Sequence, residues 1–138
     1  MKYISGKYAL NIPCSLNMTP DWHTDSYDWN KMDVRESDDS IYKDYGIELN
    51  KRFYTYEGAM NVANTLRAIL DLLVDGETRY LKGMRRAHFN NDEYNIEFFK
   101  HVYMLKDISV YWNEIDHLMS MEFMMKWDRF KQQMENKF

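Results

Sequence analysis

The stretch that decides the fold is Gly58-Ala59-Met60-Asn61-Val62-Ala63-Asn64-Thr65-Leu66-Arg67-Ala68-Ile69-Leu70-Asp71-Leu72-Leu73-Val74-Asp75-Gly76. Ala59, Val62, Ala63, Leu66, Ile69, Leu70 and Leu73 recur at steps of three or four, while Asn61, Asn64, Arg67 and Asp71 take the other side. That period predicts an amphipathic helix from just after Gly58, with a wide apolar face turned to a core. Gly76 stands where a left-handed cap would end it near Asp75.

Toward the C-terminus the helical period continues. Thr78 to His88 reads as a shorter helix weakened by Gly83. Asn90 stands three residues before Glu93 and resembles a capping pair for a third helix, carrying Ile96, Phe99, Val102 and Tyr103 to about Leu105. Ser109 is placed to cap a last helix in which Trp112, Ile115, Met119, Phe123, Trp127, Phe130 and Met134 form one stripe. At 1.5 Å per residue such a helix would run roughly 35 Å, long enough to project or to pack on a second copy.

Toward the N-terminus the period shortens. In Lys7 to Ile12 the large residues Tyr8, Leu10 and Ile12 alternate with smaller or polar ones, which predicts a strand, with Gly6 turning a leading strand Tyr3 to Ser5 back on it. Lys51 to Tyr56 reads as a further strand pairing with these. Between them, Cys14 to Asn50 shows no clean period and is rich in turn formers, and ordered loops this long tend to be functional. The expected class is α+β: a short antiparallel segment of two or three strands, then a bundle of about four helices with a long final one. The whole is expected to be a single domain over residues 1–138, with a β- and loop-rich acidic segment over 1–57 and a helical core over 58–138.

Charge is unevenly placed. The net charge is −4, and residues 1–50 hold nine acidic and five basic side chains, so the N-terminal part carries the whole surplus. A negative chain gains little from phosphate counterion release, which disfavours general nucleic-acid binding. Lys2 and Lys7 flank no apolar run of signal-peptide length, and Ala68 to Val74 is far shorter than the roughly 20 residues that span a bilayer. Cys14 is the single cysteine, so no intramolecular disulfide forms. A cytoplasmic, non-membrane protein is expected.

Motifs for chemistry are sparse. The four histidines are scattered, and no glycine pair is spaced as a phosphate loop requires. Asp21, His23 and Asp25 alternate, so an extended backbone would aim all three one way, toward a metal or a proton-transfer site; a hydrogen-bonded surface loop is the plainer explanation. Cys14 has no flanking catalytic signature and reads as structural. No cofactor is implied.

Three clusters are candidate binding surfaces. The Asp21 to Glu48 segment mixes nine acids with Trp22, Trp29 and three tyrosines, so Trp22, His23, Trp29, Asp38, Asp39 and Tyr42 form a candidate protein-binding set, unless the rings merely pin the loop. Met121 and Met125, with Leu118, make a second apolar flank on the last helix that suits a partner or a homodimer. Arg79, Lys82, Arg85 and Arg86 form a candidate anion site, and on one helix Arg79, Lys82 and Arg86 would share a face. The expected function is a non-enzymatic protein-interaction module: an inhibitor, antitoxin or accessory subunit, bacterial or phage in setting, whose partner could be a basic nucleic-acid-processing protein. The rival expectations are a small metal- or His/Asp-dependent hydrolase at Asp21-His23-Asp25, and a nucleic-acid binder through the Arg79 to Arg86 face.

Overall fold

The computed structural model describes residues 1–21, 27–53 and 56–136, with backbone alone at 56 and 57. They form strands β1 (Lys2–Ile4), β2 (Val34–Glu36), β3 (Ile47–Phe53) and β4 (Tyr56–Ala63), and helices α1 (Gly6–Leu10), α2 (Thr65–Val74), α3 (Met84–His88), α4 (Asn95–Tyr103), α5 (Trp112–Phe123) and α6 (Met125–Glu135). The protein is therefore α+β, with strands mostly ahead of helices. The chain divides into two compact units, Met1–Asp71 and Leu72–Phe138, the division falling within α2.

The N-terminal unit holds a four-stranded mixed sheet in the order β2-β1-β4-β3, larger than the two or three antiparallel strands expected. β1 pairs antiparallel with β2 and parallel with β4, where Ile4 faces Val62. β3 and β4 pair antiparallel with two register irregularities between Glu48 and Phe53. The stretch Lys51 to Tyr56 thus contains the end of one strand and the start of the next, with residues 54 and 55 outside the described set.

Two local expectations fail for identifiable reasons. Lys7 to Ile12 is not a strand: α1 begins at Gly6, whose φ of 61° turns the chain sharply out of β1. Ala9, Leu10 and Ile12 are then buried from a helical turn, a pattern that six residues of alternation cannot distinguish from a strand. The decisive stretch also splits in two. Ala59, Val62 and Ala63 belong to β4, and α2 starts only after Asn64, whose Oδ1 accepts the Arg67 backbone N–H at 2.9 Å. Asn64 is the N-cap, and small β4 residues happened to extend the helical spacing backward.

Gly46 explains how the cap is held. Its carbonyl accepts the Asn64 N–H at 2.7 Å, and a Cβ there would lie 2.8 Å from Arg67 Cβ. Only a glycine allows that approach. At the other end of α2, Gly76 donates to the Leu73 carbonyl and Glu77 to that of Leu72, the paired bonds of a left-handed glycine stop.

The C-terminal unit is built from α3 to α6. Thr78 to His88 forms a helix only from Met84 onward, because Gly83 sits at φ 85°. The Glu93 N–H donates to Asn91 Oδ1, and α4 opens later than the Asn90–Glu93 pair suggested, at Asn95. Ser109 Oγ accepts the Tyr111 N–H, and α5 begins after it at Trp112.

The long final helix is two helices. α5 ends at Phe123 and α6 starts at Met125, with Met124 between them at φ 53°, ψ −129°. In one straight helix Trp112 and Trp127 would be about 22 Å apart, fifteen residues at 1.5 Å each. Their ring centroids are 6.2 Å apart, and Lys131 reaches Asp116, also fifteen residues away, at 2.8 Å. Trp127 Nε1 donates to the same carboxylate at 2.8 Å. The stripe itself survives the fold, since Ile115, Met119, Phe123, Trp127 and Phe130 are all buried. Around it Phe98, Phe99 and Phe89 contribute edge-on and tilted contacts, among them Phe99 to Phe123 at 5.0 Å and Phe99 to Trp127 at 5.4 Å.

Among the described residues, no helix is long and apolar enough to cross a membrane.

Candidate functional site

The most polar buried feature lies in the N-terminal unit. Arg67 and Asp71 are one turn apart on α2 and both buried, joined by Nε to Oδ1 at 3.0 Å. Asp71 Oδ2 accepts from the Tyr3 hydroxyl at 2.8 Å and the Ser5 hydroxyl at 2.6 Å. Arg67 donates from Nη1 to the carbonyls of Lys43 and Tyr45, each at 2.6 Å, and from Nη2 to the Tyr3 oxygen at 2.9 Å. Burial first, and the Asp71 charge second, push the Tyr3 phenol far above its ordinary value, so it stays a donor. This network is internally satisfied and joins the sheet, the 43–45 turn and α2. Its chemistry is that of a fastener, because each charge is already committed to a fixed partner.

That network also claims a residue assigned to the partner-binding set. Tyr42 is buried with its ring 5.8 Å from the Arg67 guanidinium carbon, so it belongs to the interior and not to a docking face. Trp29 is half-buried, packed edge-on to Tyr8 at 5.3 Å and tilted against Phe53 at 5.9 Å. The rings of Tyr42 and Trp29 act as loop anchors. Asp38 and Asp39 are exposed on a short 3-10 turn, Ser37–Asp39. Trp22, His23 and Asp25 lie outside the described residues, and among those described no group of three or more His, Cys, Asp or Glu side chains is placed to hold a metal ion.

In the C-terminal unit the methionine flank comes to the surface at the break. Met121, Met124 and Met125 are 62%, 68% and 63% exposed, whereas Leu118 of the same flank is buried. Met124 closes α5 by donating to the Ser120 carbonyl and opens α6 by accepting from Asp128. A non-glycine residue at this φ is strained, and strain of this order costs about 1–3 kcal/mol. The sequence signalled Met121 and Met125 but not Met124, since no glycine or proline marks the corner.

Arg79, Lys82, Arg85 and Arg86 are all exposed, and none forms an ion pair among the described residues. The single helical face expected for Arg79, Lys82 and Arg86 does not exist, because the first two stand on turns before α3.

Sequence reasoning missed a groove between α4 and α6. It has a volume of about 270 Å³, with Ile96 and Phe99 on one side, Lys126, Arg129 and Phe130 on the other, and Asp92 at the start. Lys126 Nζ pairs with Asp92 Oδ2 at 2.6 Å. That hydrogen bond, helped by Asn95 and the nearby Arg85 charge, holds the Asp92 carboxyl below the usual aspartate range. Asn95 donates to Asp92 Oδ1 at 3.1 Å, while its own buried Oδ1 has no partner among the described residues. The groove joins residues about thirty positions apart, so no local pattern could have announced it.

The chain matches no protein-family model, no curated protein and no solved structure.

Proposed function

We propose that this chain is a non-enzymatic protein-interaction module, and that its partner docks on the methionine corner of the C-terminal unit. The observation that carries this reading is Met124, a large apolar side chain held exposed at a backbone conformation that favours glycine, between two equally exposed methionines. Glycine would make the same corner with less strain, and a polar side chain would suit water better. Strain of this kind concentrates at functional positions, and methionine's unbranched, polarisable chain moulds to a partner surface.

An inhibitor, an antitoxin or an accessory subunit would each work by such contact, in a cytoplasmic setting suited to a single thiol. The acid surplus of the N-terminal fifty residues, with Asp38 and Asp39 exposed, favours a basic partner and faster association at low salt. A second reading, nucleic-acid binding through Arg79, Lys82, Arg85 and Arg86, is favoured by their exposure without ion pairs and opposed by the net charge of −4.

The test is crosslinking in the source cells with wild type and the Met121→Gln, Met125→Gln double variant. Wild type is expected to capture one reproducible protein, and the variant to lose it by about tenfold or more with unchanged melting temperature, since central apolar contacts dominate such interfaces. Equal capture by a normally folded variant sinks the methionine corner as the docking face.

A further inference from the structure

We propose that the groove between α4 and α6 binds a small monocarboxylate with an aromatic body. Arg129 lines it and, among the described residues, makes no ion pair or hydrogen bond. A guanidinium presents a planar fork matched to a carboxylate, and leaving it unmatched beside a concave surface is what an anion site requires. Phe99, Phe130 and Ile96 supply apolar wall on both helices.

Charge and size narrow the ligand. Lys126 and Arg129 bring two positive charges and Asp92 one negative, so the groove itself carries a surplus of one, which suits a singly charged carboxylate better than a doubly charged phosphate. Lys126 is already committed to Asp92, and Asn95 fixes that carboxylate from its other oxygen, which leaves Arg129 as the cation that meets the ligand. The volume of about 270 Å³ exceeds that of a cavity which takes benzene, about 150 Å³, and falls just short of the range usual for drug-sized ligands. A single ring with one acid group fits those bounds.

Amide NMR titration of the full chain with benzoate tests this, with inorganic phosphate and benzyl alcohol as the charge-only and ring-only probes. Benzoate is expected to shift the amides of Ile96, Phe99, Arg129 and Phe130 saturably in the millimolar range, and each half-probe to bind about tenfold or more weakly. Arg129→Gln should weaken benzoate by a similar factor with an otherwise native spectrum, while Lys100→Gln, an exposed cation on α4 outside the groove, should not. Phosphate binding as well as benzoate would reduce the site to general cation attraction. Unsaturable or scattered benzoate shifts, or full affinity in a folded Arg129→Gln protein, would overturn the proposal.

Discussion

In the unit Met1–Asp71 the sealed side chains include an arginine, its aspartate partner and a tyrosine that bridges them; in Leu72–Phe138 the largest of them are Phe98, Phe99 and Trp127, packed among further rings and aliphatic side chains such as Leu81 and Ile115. The first core sets a network of directional bonds, each with a fixed donor and acceptor, among apolar side chains such as Ile4, Leu10, Leu66, Ile69 and Leu70. The second is specified by ring shape and volume. The two should therefore respond differently to the same kind of substitution: a polar core punishes loss of one partner, because the other is left charged and dry, whereas an aromatic core punishes loss of volume.

The largest expected effect tests the polar side. Asp71→Ala strands the Arg67 guanidinium in the interior and should cost about 3–5 kcal/mol by urea denaturation. Replacing both, Arg67→Met with Asp71→Leu, should recover part of that loss, although the Lys43 and Tyr45 carbonyls lose their donor. If the double variant is as unstable as the single one, stranded charge is not the reason the network matters.

Conservative changes sharpen the contrast. Asp71→Asn keeps the volume but disturbs three bonds and should cost about 1.5–3 kcal/mol, while Met119→Leu, a volume-conserving change in the aromatic core, should cost less, about 1.5 kcal/mol or below. The reverse order would mean that the aromatic core is the more exacting of the two. Met124→Gly should go the other way and stabilise by about 1 kcal/mol, because it relieves a positive φ, while removing an exposed contact proposed for the partner.

The smallest effects are those of pH, and they fall on opposite sides. Burial pushes the Asp116 carboxyl up, but hydrogen bonds from Lys131 and Trp127 outweigh it and leave it below the usual value. A depressed carboxylate contributes above its unfolded value, about 3.9, and that contribution drains as pH falls through the folded value. Acid unfolding followed by tryptophan fluorescence should therefore be shallower in Asp116→Asn. For Tyr3 and Tyr42 burial, then the Asp71 charge, raises the phenols, so their contribution is complete below about pH 10 and fades above it. Tyr3→Phe should flatten the alkaline limb alone.

Long apolar stripes are legible in the sequence. The burial of Leu66, Ile69, Leu70 and Leu73, the Gly76 stop and the burial of the Ile115 to Phe130 stripe follow the spacing, because each rests on several residues repeating one period. Arg67 and Asp71, however, read on the opposite side of the helix, are buried as well, and the stripe lies on two helices instead of one. Short runs are not legible, since Lys7 to Ile12 and Gly58 to Ala63 offer too few residues to separate a strand from a helix. Of the candidate surfaces, Met121 and Met125 are visible as a flank, but the corner that exposes them is not.

By itself, the sequence settled the mixed α+β class, the placement of charge and the Ile115 to Phe130 share of the C-terminal core, since burial of apolar surface there follows local spacing. On α4 it put Ile96 on the core side, where the structure exposes it, and passed over Phe98, which is buried. Only the tertiary structure decided that β1 lies parallel to β4, that Arg67 and Asp71 are sealed beneath Tyr3, and that the final helix folds back at Met124. Those outcomes depend on which distant side chains meet, and a run of good helix formers breaks where ring packing across the turn outweighs the strain of one residue.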